Sequence, residues 1–552
     1  MKRLLPLTLA LALLAGCAPT GAEIPVETAP VETAVPTATP RPGPAVYTDD
    51  SKLTPHEKAR PIAKFTRRYE EFTDTLIPAG DYGPLVPFPG AVVTRPAEDG
   101  WGWMEDYNLY GLMTLDGEVV VDPVFSLAYA PSIWDGRSDQ TRKLDCLILQ
   151  KVVKDENGEP VDVAALCARD GSWCTGFDYT FDWEMLMNRT EENIIPMWRG
   201  RDSAQALVFL DVRTGEAVRT IDLSGVMERW PDAAWNLVYN LRYGERYAIF
   251  SDDTNHYLFD SETGEVQVLE ELLNLLSGEL EAPYSASFYE GLAAVQTASG
   301  WGYIDGNGWV IDPVYEYTQP FENGHALVRD EEQGGWYTYI DHQGRVVYTL
   351  PDGDPIQDGG FIGYQNMGRR HFLDKDFREI PLPEDFTDPR VNGDWFIQDL
   401  PDPSPTVPGD WAFWNYKTGV RWDFPGDWEY HYSLSGNYAL FHSRANTQDF
   451  ALADLTTGEL TELGHWSYAY FTQDELTGED YLYLERYGEE GDPASEWRRL
   501  NGDILYRTEG PHAGYISLWG DRAMTSGDAA VTLTGLKTGE LLFSWPLRPL
   551  ED

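Results

Sequence analysis

The stretch Gly300-Trp-Gly-Tyr-Ile-Asp305, followed closely by Gly308, decides the fold. Short strand-like segments lie on both sides of a glycine turn, as in a β-hairpin. The pattern recurs, because Tyr339-Ile-Asp341 with Gly344 repeats Tyr303-Ile-Asp305 with Gly308 at an offset of 36 residues. A short unit of this kind cannot bury its apolar face alone. The repetition therefore predicts several such units packed on one another.

Further segments of the repeat lie within this stretch and before it. Phe321 to Val328 repeats Phe288 to Val295, and Tyr110 to Gly117 with Val119 to Pro123 forms an earlier unit with one inserted residue. With these residues, the region 288–348 resembles the WG repeat family of bacterial β-repeat proteins. The second unit departs from the motif, since Tyr337-Thr338 replaces the Trp-Gly pair. The resemblance implies a β-repeat scaffold for binding and carries over no catalytic residues.

A turn formula, Asp-x-x-Thr-Gly-Glu, recurs along the rest of the chain. It ends at Glu216, Glu265 and Glu459, and variants end at Gly419 and Glu540. Glycine supplies the positive φ of such a turn, and the Asp or Asn side chain can cap it. We call the turn glycines of these segments and of the WG-like units the marking glycines. They are separated by 98, 49, 44, 36, 75, 39 and 81 residues, and they are Gly117, Gly215, Gly264, Gly308, Gly344, Gly419, Gly458 and Gly539. Candidate degenerate hairpins near Asn157-Gly158, Asp374 to Asp376 and Asn501-Gly502 divide the three long gaps.

This division gives eleven candidate units and a period of about 40–45 residues, which is the length of a propeller blade. We therefore predict an all-β repeat array over residues 84–552, β-propeller-like with one large or two smaller rings, and an open β-solenoid as the alternative. A possible split lies near residues 350–410. Strands are expected at 119–121, 206–210, 247–250 and 438–441, and one inserted helix at Leu269 to Leu280.

The N-terminus has the order of an export signal. Lys2 and Arg3 precede an apolar stretch from Leu4 to Leu14, which is too short to span a bilayer, and Leu14-Ala-Gly-Cys17 follows. This ending resembles a bacterial lipobox. The resemblance implies a signal peptide at 1–16, cleavage between Gly16 and Cys17, and lipidation of Cys17. The alternatives are an ordinary secretory signal or an N-terminal membrane anchor.

Two segments separate this signal from the repeats. Residues 17–50 are rich in Pro and Thr and contain Tyr47 as their only aromatic residue, so we predict a disordered tether. Residues 51–83 are basic, and Ile62 to Asp74 are expected to form a short helix. The tether would hold the repeats away from a lipid bilayer to which acylated Cys17 binds, at the extracytoplasmic face of the cell membrane.

Three cysteines remain after Cys17. Cys167 and Cys174 flank a hairpin-like segment, so a disulfide between them is possible in an exported chain. Cys146 could pair with Cys167 instead, and three isolated buried thiols are the remaining alternative. No Cys-x-x-Cys is present, and we identify no metal or cofactor site.

Composition and motifs narrow the function further. The formal net charge of −50 argues against nucleic acid as a partner, and 20 Trp, 31 Tyr and 22 Phe argue against a disordered chain. Inter-unit packing is expected to use most of these aromatics, and a smaller number could form a binding platform. No catalytic motif is recognisable. Asp155 to Gly158, Asp305 to Gly308 and Asp374 to Asp376 only hint at calcium loops, and turn chemistry explains them.

Three hypotheses about function remain open. The first is a membrane-anchored lipoprotein whose repeats act as a binding or scaffolding module for an unknown protein, peptide or glycan. The second is an exported hydrolase acting on glycan or peptide, with an unrecognised pair of acidic catalytic residues; a pocket with two carboxyls of raised pKa would favour it. The third is a purely structural envelope component.

Overall fold

The computed structural model describes residues 77–78, 80, 82–96, 104–134, 141–154, 160–181, 193–200, 205–252, 255–275, 280–283, 287–330, 334–404, 408–486, 494–509, 515–527 and 530–547. This part of the chain is nearly all β, with three short helices, and it lies in the compact unit Pro44–Asp552. The strands form small antiparallel sheets in which most neighbours along the chain are neighbours in the sheet. The prediction of an all-β repeat array is confirmed.

We number the principal sheets 1 to 10 in chain order. Sheet 1 contains β1 (Val86–Pro96), β2 (Met104–Met113) and β3 (Val119–Phe125). Sheet 2 contains β4 (Leu127–Tyr129), β7 (Cys146–Lys154), β8 (Pro160–Ala168), β9 (Tyr179–Thr180), β10 (Ile194–Arg199), β11 (Ala206–Asp211) and β12 (Ala217–Asp222). A separate hairpin contains β5 (Ser132–Trp134) and β6 (Thr141–Lys143). Sheet 3 contains β13 (Tyr247–Ser251), β14 (His256–Asp260) and β15 (Val266–Val268).

The next three sheets carry the WG-like units and their continuation. Sheet 4 contains β16 (Leu280–Pro283), β17 (Ala293–Thr297), β18 (Gly300–Asp305) and β19 (Gly308–Tyr315). Sheet 5 contains β20 (Tyr317–Thr318), β21 (Ala326–Asp330), β22 (Trp336–Ile340) and β23 (Val346–Thr349). Sheet 6 contains β24 (Asp354–Asp358), β25 (Phe361–Asn366) and β26 (Arg369–Leu373).

Four-stranded meanders complete the array. Sheet 7 contains β27 (Arg390–Asn392), β28 (Trp395–Asp399), β29 (Trp411–Asn415) and β30 (Arg421–Phe424). Sheet 8 contains β31 (Trp428–Ser435), β32 (Tyr438–Ser443), β33 (Asp449–Asp454) and β34 (Glu459–His465). Sheet 9 contains β35 (Tyr468–Gln473), β36 (Asp480–Arg486), β37 (Ala494–Arg499) and β38 (Ile504–Glu509). Sheet 10 contains β39 (Tyr515–Trp519), β40 (Arg522–Ser526), β41 (Ala530–Gly535) and β42 (Leu541–Pro546).

The described helices are α1 (Ser224–Arg229), α2 (Pro231–Asn240) and α3 (Leu269–Leu272). The prediction of a helix over Leu269 to Leu280 is therefore wrong at residues 273–275 and at Leu280, and residues 276–279 lie outside the described residues. Asn274 takes a left-handed backbone conformation with φ 56°, which ends the helix, and Leu280 begins a strand of sheet 4. The short helix predicted at Ile62 to Asp74 lies outside the described residues.

The glycines of the turn formula occupy one structural position. Gly215, Gly264 and Gly458 each have positive φ and each lie in the hairpin that joins the last two strands of a sheet. Each of their amides donates to the carbonyl of the Asp four residues earlier, over 2.7–2.8 Å. The Asp Oδ1 atoms of these turns also accept a backbone N–H two residues on, as predicted. Asn501-Gly502 forms the corresponding turn of sheet 9.

Sheet 2 explains the longest gap between marking glycines, the 98 residues from Gly117 to Gly215. One face of β7, β8, β10 and β11 forms a core of its own, which contains Ile148, Leu166, Met197 and Val208 and no residue of another principal sheet among those described. The opposite face packs on sheet 1 through β7 and β8, and on sheet 3 through β10 and β11. The sheet must therefore bend until its two halves cover each other. Sheet 2 therefore corresponds to two of the predicted units, and each of the other nine sheets corresponds to one. The ten sheets together account for the eleven predicted units.

Sheets that follow one another in the chain share buried cores. Tyr303 of sheet 4 packs with Phe321 and Val328 of the next unit, with the Tyr303 and Phe321 ring centroids 4.8 Å apart. The aromatic side chains thus supply inter-unit packing, as predicted. The possible boundary at 350–410 includes sheet 6, which shares one core with sheet 5 and another with sheet 7.

The series of cores closes on itself. Phe88 of sheet 1 is fully buried against Phe543 and Trp545 of sheet 10, with ring centroids 5.0 and 5.3 Å apart. The Trp545 indole also donates a hydrogen bond to the carbonyl of Gly90, over 2.9 Å. Because the first and last sheets share one core, the described sheets form one closed cycle. An open solenoid, the alternative fold, would leave these two sheets unpaired.

The glycine of the Trp-Gly motif lies at a β-bulge, and an equivalent bulge occurs in a second unit. In sheet 4, Trp301 pairs with Tyr315 and Tyr303 with Ile311, and the register shifts at Gly302. In sheet 1, Tyr110 pairs with Phe125 and Leu112 with Val121, with the same shift at Gly111. A Cβ atom at Gly302 would lie 2.6 Å from the Ile311 carbonyl oxygen, and one at Gly111 would lie 2.7 Å from that of Val121. The glycine therefore allows two strands to approach closely.

One turn of the array gives a pH-dependent prediction. Arg246 binds both carboxylate oxygens of Asp260, at 2.7 and 3.0 Å, and this contact lowers the pKa of Asp260 to about 2 from an ordinary value of 3.8. The folded carboxylate stays ionised where the unfolded one protonates, so its stabilisation is complete above about pH 4 and is lost as the pH falls through about 2.

We expect Asp260→Asn to lower the free energy of unfolding by about 0.5–1 kcal/mol at pH 7, because the ion pair is partly exposed. Asn can still cap the turn, as Asn415 does for Lys417 and Thr418. Urea unfolding from pH 7 to pH 2 would measure the difference from the parent protein. A difference that stays constant with pH would contradict the assignment.

Candidate binding cavity

A cavity of about 830 Å³ lies at one end of sheets 5 to 8. In an antiparallel meander, the turn between strands one and two and the turn between strands three and four lie at the same end of the sheet. The cavity is lined by the first kind of turn from four consecutive sheets, by the second kind from sheet 7, and by the turn that follows the third strand of sheet 6. The repeat thus places equivalent loops side by side, as ligand sites on rigid β scaffolds require.

Side-chain amides form one group of lining residues. Gln319, Asn323, Gln357 and Asn437 come from three different sheets. The Gln319 amide nitrogen donates to the Tyr317 hydroxyl over 3.0 Å, and the Asn437 amide oxygen accepts from the Trp395 indole over 3.4 Å. Each contact uses one end of an amide. The Gln319 oxygen and the Asn437 nitrogen keep hydrogen-bonding capacity for a ligand.

Aromatic side chains form the second group. Tyr339, Phe361, Phe377, Trp395 and Tyr416 all line the cavity. The Phe361 ring packs edge-on against Tyr416, with centroids 5.1 Å apart, and the Phe377 ring lies 5.0 Å from that of Tyr339. Tyr339 and Trp395 are buried, whereas the other three rings are partly exposed. The cavity therefore combines apolar ring surface with polar amide groups, the composition expected of a small-ligand site.

Phe377 has a strained backbone, with φ 58°. It follows Asp374, whose Oδ1 atom accepts the amides of Asp376 and Arg378. In sheet 5, Asp341 caps the equivalent turn in the same way, and the position matching Phe377 is Gly344, with φ 72°. A bulky residue in this region costs about 1–2 kcal/mol relative to glycine. Such a local cost is a recurrent mark of functional sites.

The carboxylates around the cavity are mostly paired. Asp394 forms an ion pair with Lys417, with 2.8 Å between the charged atoms. Backbone amides of Arg378 and Asp376 hold the pKa of Asp374 below its usual range. The carboxyls Asp358 and Asp399, whose pKa burial raises, each face an arginine, and neither lines the cavity. The two described carboxyls with raised pKa therefore lie outside the cavity.

A ladder of glutamates leads to the cavity rim. Glu245 accepts the amide of Gly291 in the next sheet, over 3.0 Å, and Glu290 accepts that of Gly324, over 2.9 Å. Asn323 takes the matching position in sheet 5, and the adjacent Glu322 contacts the Gln357 side chain at 3.3 Å and no turn amide among the described residues. The inter-sheet contact therefore changes at the cavity, where Gly359 and Gly360 form the turn.

The sequence-predicted site residues lie elsewhere. Gly16 and Cys17, the predicted cleavage and lipidation positions, lie outside the described residues, as does the segment Asp155 to Gly158. Cys167 and Cys174 form a disulfide across a β-bridge, and Cys146 is a buried free thiol whose pKa burial raises. None of these cysteines lines the cavity.

The remaining calcium-like loops are ordinary turns. Asp305 accepts the amide of Asn307 and Asp374 accepts those of Asp376 and Arg378, so their carboxylates serve the backbone. Among the described residues, no three His, Cys, Asp or Glu side chains are placed to hold a metal ion. No helix in this part of the chain is long and apolar enough to cross a membrane.

Sequence reasoning missed the cavity, although one signal for it is visible. Asp374-Lys-Asp-Phe377-Arg378 matches Asp341-His-Gln-Gly344-Arg345 except that Phe replaces the turn glycine. A broken turn formula indicates that something other than the turn selects the residue, and the Phe377 ring both packs on the core between sheets 5 and 6 and lines the cavity.

Comparison with protein families identifies the repeat. Residues 301–332 match the family described as WG containing repeat. No curated protein matches the chain. The fold and the cavity together define an all-β, repeat-built module suited to binding or scaffolding. The chain carries a repeat of the WG family, as its Trp301-Gly302 motif predicts.

Solved structures resemble the chain only remotely. A eukaryotic initiation factor shares 10% identity over 72% of this chain and 93% of its own, with a TM-score of 0.28. Apo AztD from Citrobacter koseri shares 11% identity over 73% of this chain and 92% of its own, with a TM-score of 0.17. These scores are too low for us to draw any functional argument from either protein.

Proposed function

We propose that the protein is a membrane-anchored, extracytoplasmic lipoprotein whose repeat head binds a ligand in the cavity of sheets 5 to 8. The observation that carries the binding role is Phe377. A glycine would relieve the strain of its turn, as Gly344 does in the neighbouring sheet. The aromatic ring held there packs against Tyr339 and Tyr348 and also forms part of the wall of a cavity of about 830 Å³, where it can contact a ligand.

The location rests on the N-terminal sequence. A basic start, a short apolar stretch and Leu14-Ala-Gly-Cys17 support export and acylation of Cys17. Acyl chains on this residue would bind the bilayer, and the Pro- and Thr-rich segment that follows would separate the head from the membrane. The ligand would then be a molecule of the cell envelope.

Blocking the cavity tests the binding role. We would equilibrate the full chain in detergent with separate peptide and glycan digests of an envelope preparation, and identify retained molecules by mass spectrometry. The Gln357→Trp variant fills the cavity from an exposed lining position, and Val346→Trp adds the same ring on the exposed strand β23. We expect retention by the parent protein and by Val346→Trp but not by Gln357→Trp. Equal retention by all three, or none by any, would overturn the proposal.

A second experiment addresses the anchor. We expect the mature protein to begin at Cys17 with added acyl mass, and Cys17→Ser to leave the signal uncleaved or the protein unacylated. Intact mass spectrometry and membrane fractionation of both proteins would measure this. An unmodified Cys17 in the mature parent protein would contradict the proposal.

A further inference from the structure

We propose that the ligand of the cavity is a neutral oligosaccharide segment. This inference rests on the proposed function, since it specifies the chemical class that the same cavity accepts. It draws on three independent features of the wall, which are its charge balance, its amide groups and the ring of Phe377.

Charge balance disfavours an ionic ligand. Lys417 neutralises Asp394, whereas the backbone amides that donate to Asp374 leave its carboxylate charged. Glu322, Asp374 and Lys375 are the remaining lining charges, two negative and one positive. A site for a cationic peptide or an anionic sugar would present an excess of the opposite charge. This wall has an excess of only one negative charge, although the chain as a whole carries a net charge of −50.

The amide groups match hydroxyl groups. A sugar hydroxyl donates one hydrogen bond and accepts others, and a side-chain amide can do both at its two ends. Gln319, Asn323 and Asn437 present such amides from sheets 5 and 8, on opposite sides of sheets 6 and 7. Contacts from Tyr317 and Trp395 fix the orientation of two of them, which reduces the entropy lost on binding.

Phe377 supplies the apolar part of the site. Its ring stacks on Tyr348 with an interplanar angle of 14° and lines the cavity. A sugar ring presents an apolar face of C–H groups, which packs well against an aromatic ring, while its hydroxyls reach the amides at the ring edge. The volume of about 830 Å³ lies in the upper part of the ~300–1,000 Å³ range of ligand cavities. It therefore suits several linked sugar rings rather than one.

Calorimetric titration of the full chain in detergent tests the inference. The probes are neutral tri- and tetrasaccharides of β-1,4-linked glucose and of β-1,4-linked N-acetylglucosamine, a tetragalacturonate as the acidic sugar, and a tetralysine peptide. We expect at least one neutral oligosaccharide to bind, and to bind about tenfold or more tightly than either charged probe.

Two variants locate the site while preserving the backbone. Phe377→Gly and Asn323→Gly both place glycine at positions of positive φ, so each turn can keep its conformation. We expect each to weaken oligosaccharide binding about tenfold or more. Trp336→Ala is the matched control, because this exposed ring starts β22 at the opposite end of sheet 5, and its binding should equal that of the parent.

The outcomes separate this inference from the proposed function. Envelope peptides retained by the parent but lost by Gln357→Trp, with no neutral oligosaccharide bound, would overturn the inference and leave a binding cavity. Preferred binding of the acidic sugar or of tetralysine would overturn it as well. Oligosaccharide binding that is unchanged in both glycine variants would place the sugar outside the cavity and contradict both statements. Circular dichroism of each variant confirms that it is folded.

Discussion

Replacing Phe88 by alanine is expected to lower the free energy of unfolding by about 3–5 kcal/mol, the usual cost of removing a buried aromatic side chain. Phe88 has no exposed surface and touches the rings of Phe543 and Trp545 across the junction of sheets 1 and 10. The alanine variant would leave a cavity between the first and last sheets. The cycle would then be weakened at its point of closure.

Denaturant unfolding of the full chain, followed by tryptophan fluorescence, measures this effect. Phe441→Ala is the matched comparison, because Phe441 is equally buried but lies inside sheet 8, far along the chain from the closure. In a closed cycle the two variants should lose similar stability. In an open array, the Phe88 variant would melt its terminal sheet alone and leave the main transition unchanged. A loss below about 1 kcal/mol for Phe88→Ala would contradict closure.

The architecture was largely predictable because its turns obey a local rule. A hairpin needs a residue with positive φ, and glycine at that position is visible in the sequence without any knowledge of packing. Gly264, Gly419 and Gly539 therefore locate hairpins of three different sheets. Their spacing gives the number of layers.

Packing between distant segments was not predictable in the same way. The bend of sheet 2 depends on β9, a two-residue strand that joins its halves, and no local pattern specifies such a bend. Helices α1 and α2 lie between sheets 2 and 3 in the chain. Their signals were present, since Asp222 accepts the Ser224 amide over 2.9 Å and Pro231 opens α2, but they are short beside the surrounding β pattern.

The cavity was hidden for a different reason. Its residues belong to turns of four sheets, and apart from the turn at Phe377 each has an ordinary sequence. Only the closed packing of those sheets brings Asn323, Phe377 and Asn437 to one opening. Sequence reasoning can flag Phe377 as an exception to the turn formula, but it cannot say what the exception faces. Cys17 is the opposite case. A linear motif predicts its role, and no knowledge of the fold is needed.

The Trp-Gly motif itself gives the second large effect. Gly302→Ala is expected to lower the free energy of unfolding by about 2–3 kcal/mol, because its Cβ would lie 2.6 Å from the Ile311 carbonyl and 2.8 Å from the Pro313 nitrogen. Both contacts are with backbone of β19, so no side-chain rotation can relieve them. Strands β18 and β19 would have to separate at this bulge, which has an equivalent in sheet 1.

Gly225→Ala is the control for this substitution. Gly225 lies in helix α1, and an alanine Cβ at this position would have no neighbouring atom within 4 Å, so the substitution should leave stability unchanged or raise it by up to about 1 kcal/mol. Urea unfolding of both variants against the parent protein gives the comparison. If Gly302→Ala behaved like Gly225→Ala, the close approach of β18 and β19 would not be the reason for the glycine. A large loss confined to Gly302→Ala would instead explain the motif physically: the glycine lets two strands pair across a bulge, and the neighbouring Trp301 packs against the core between sheets 4 and 5.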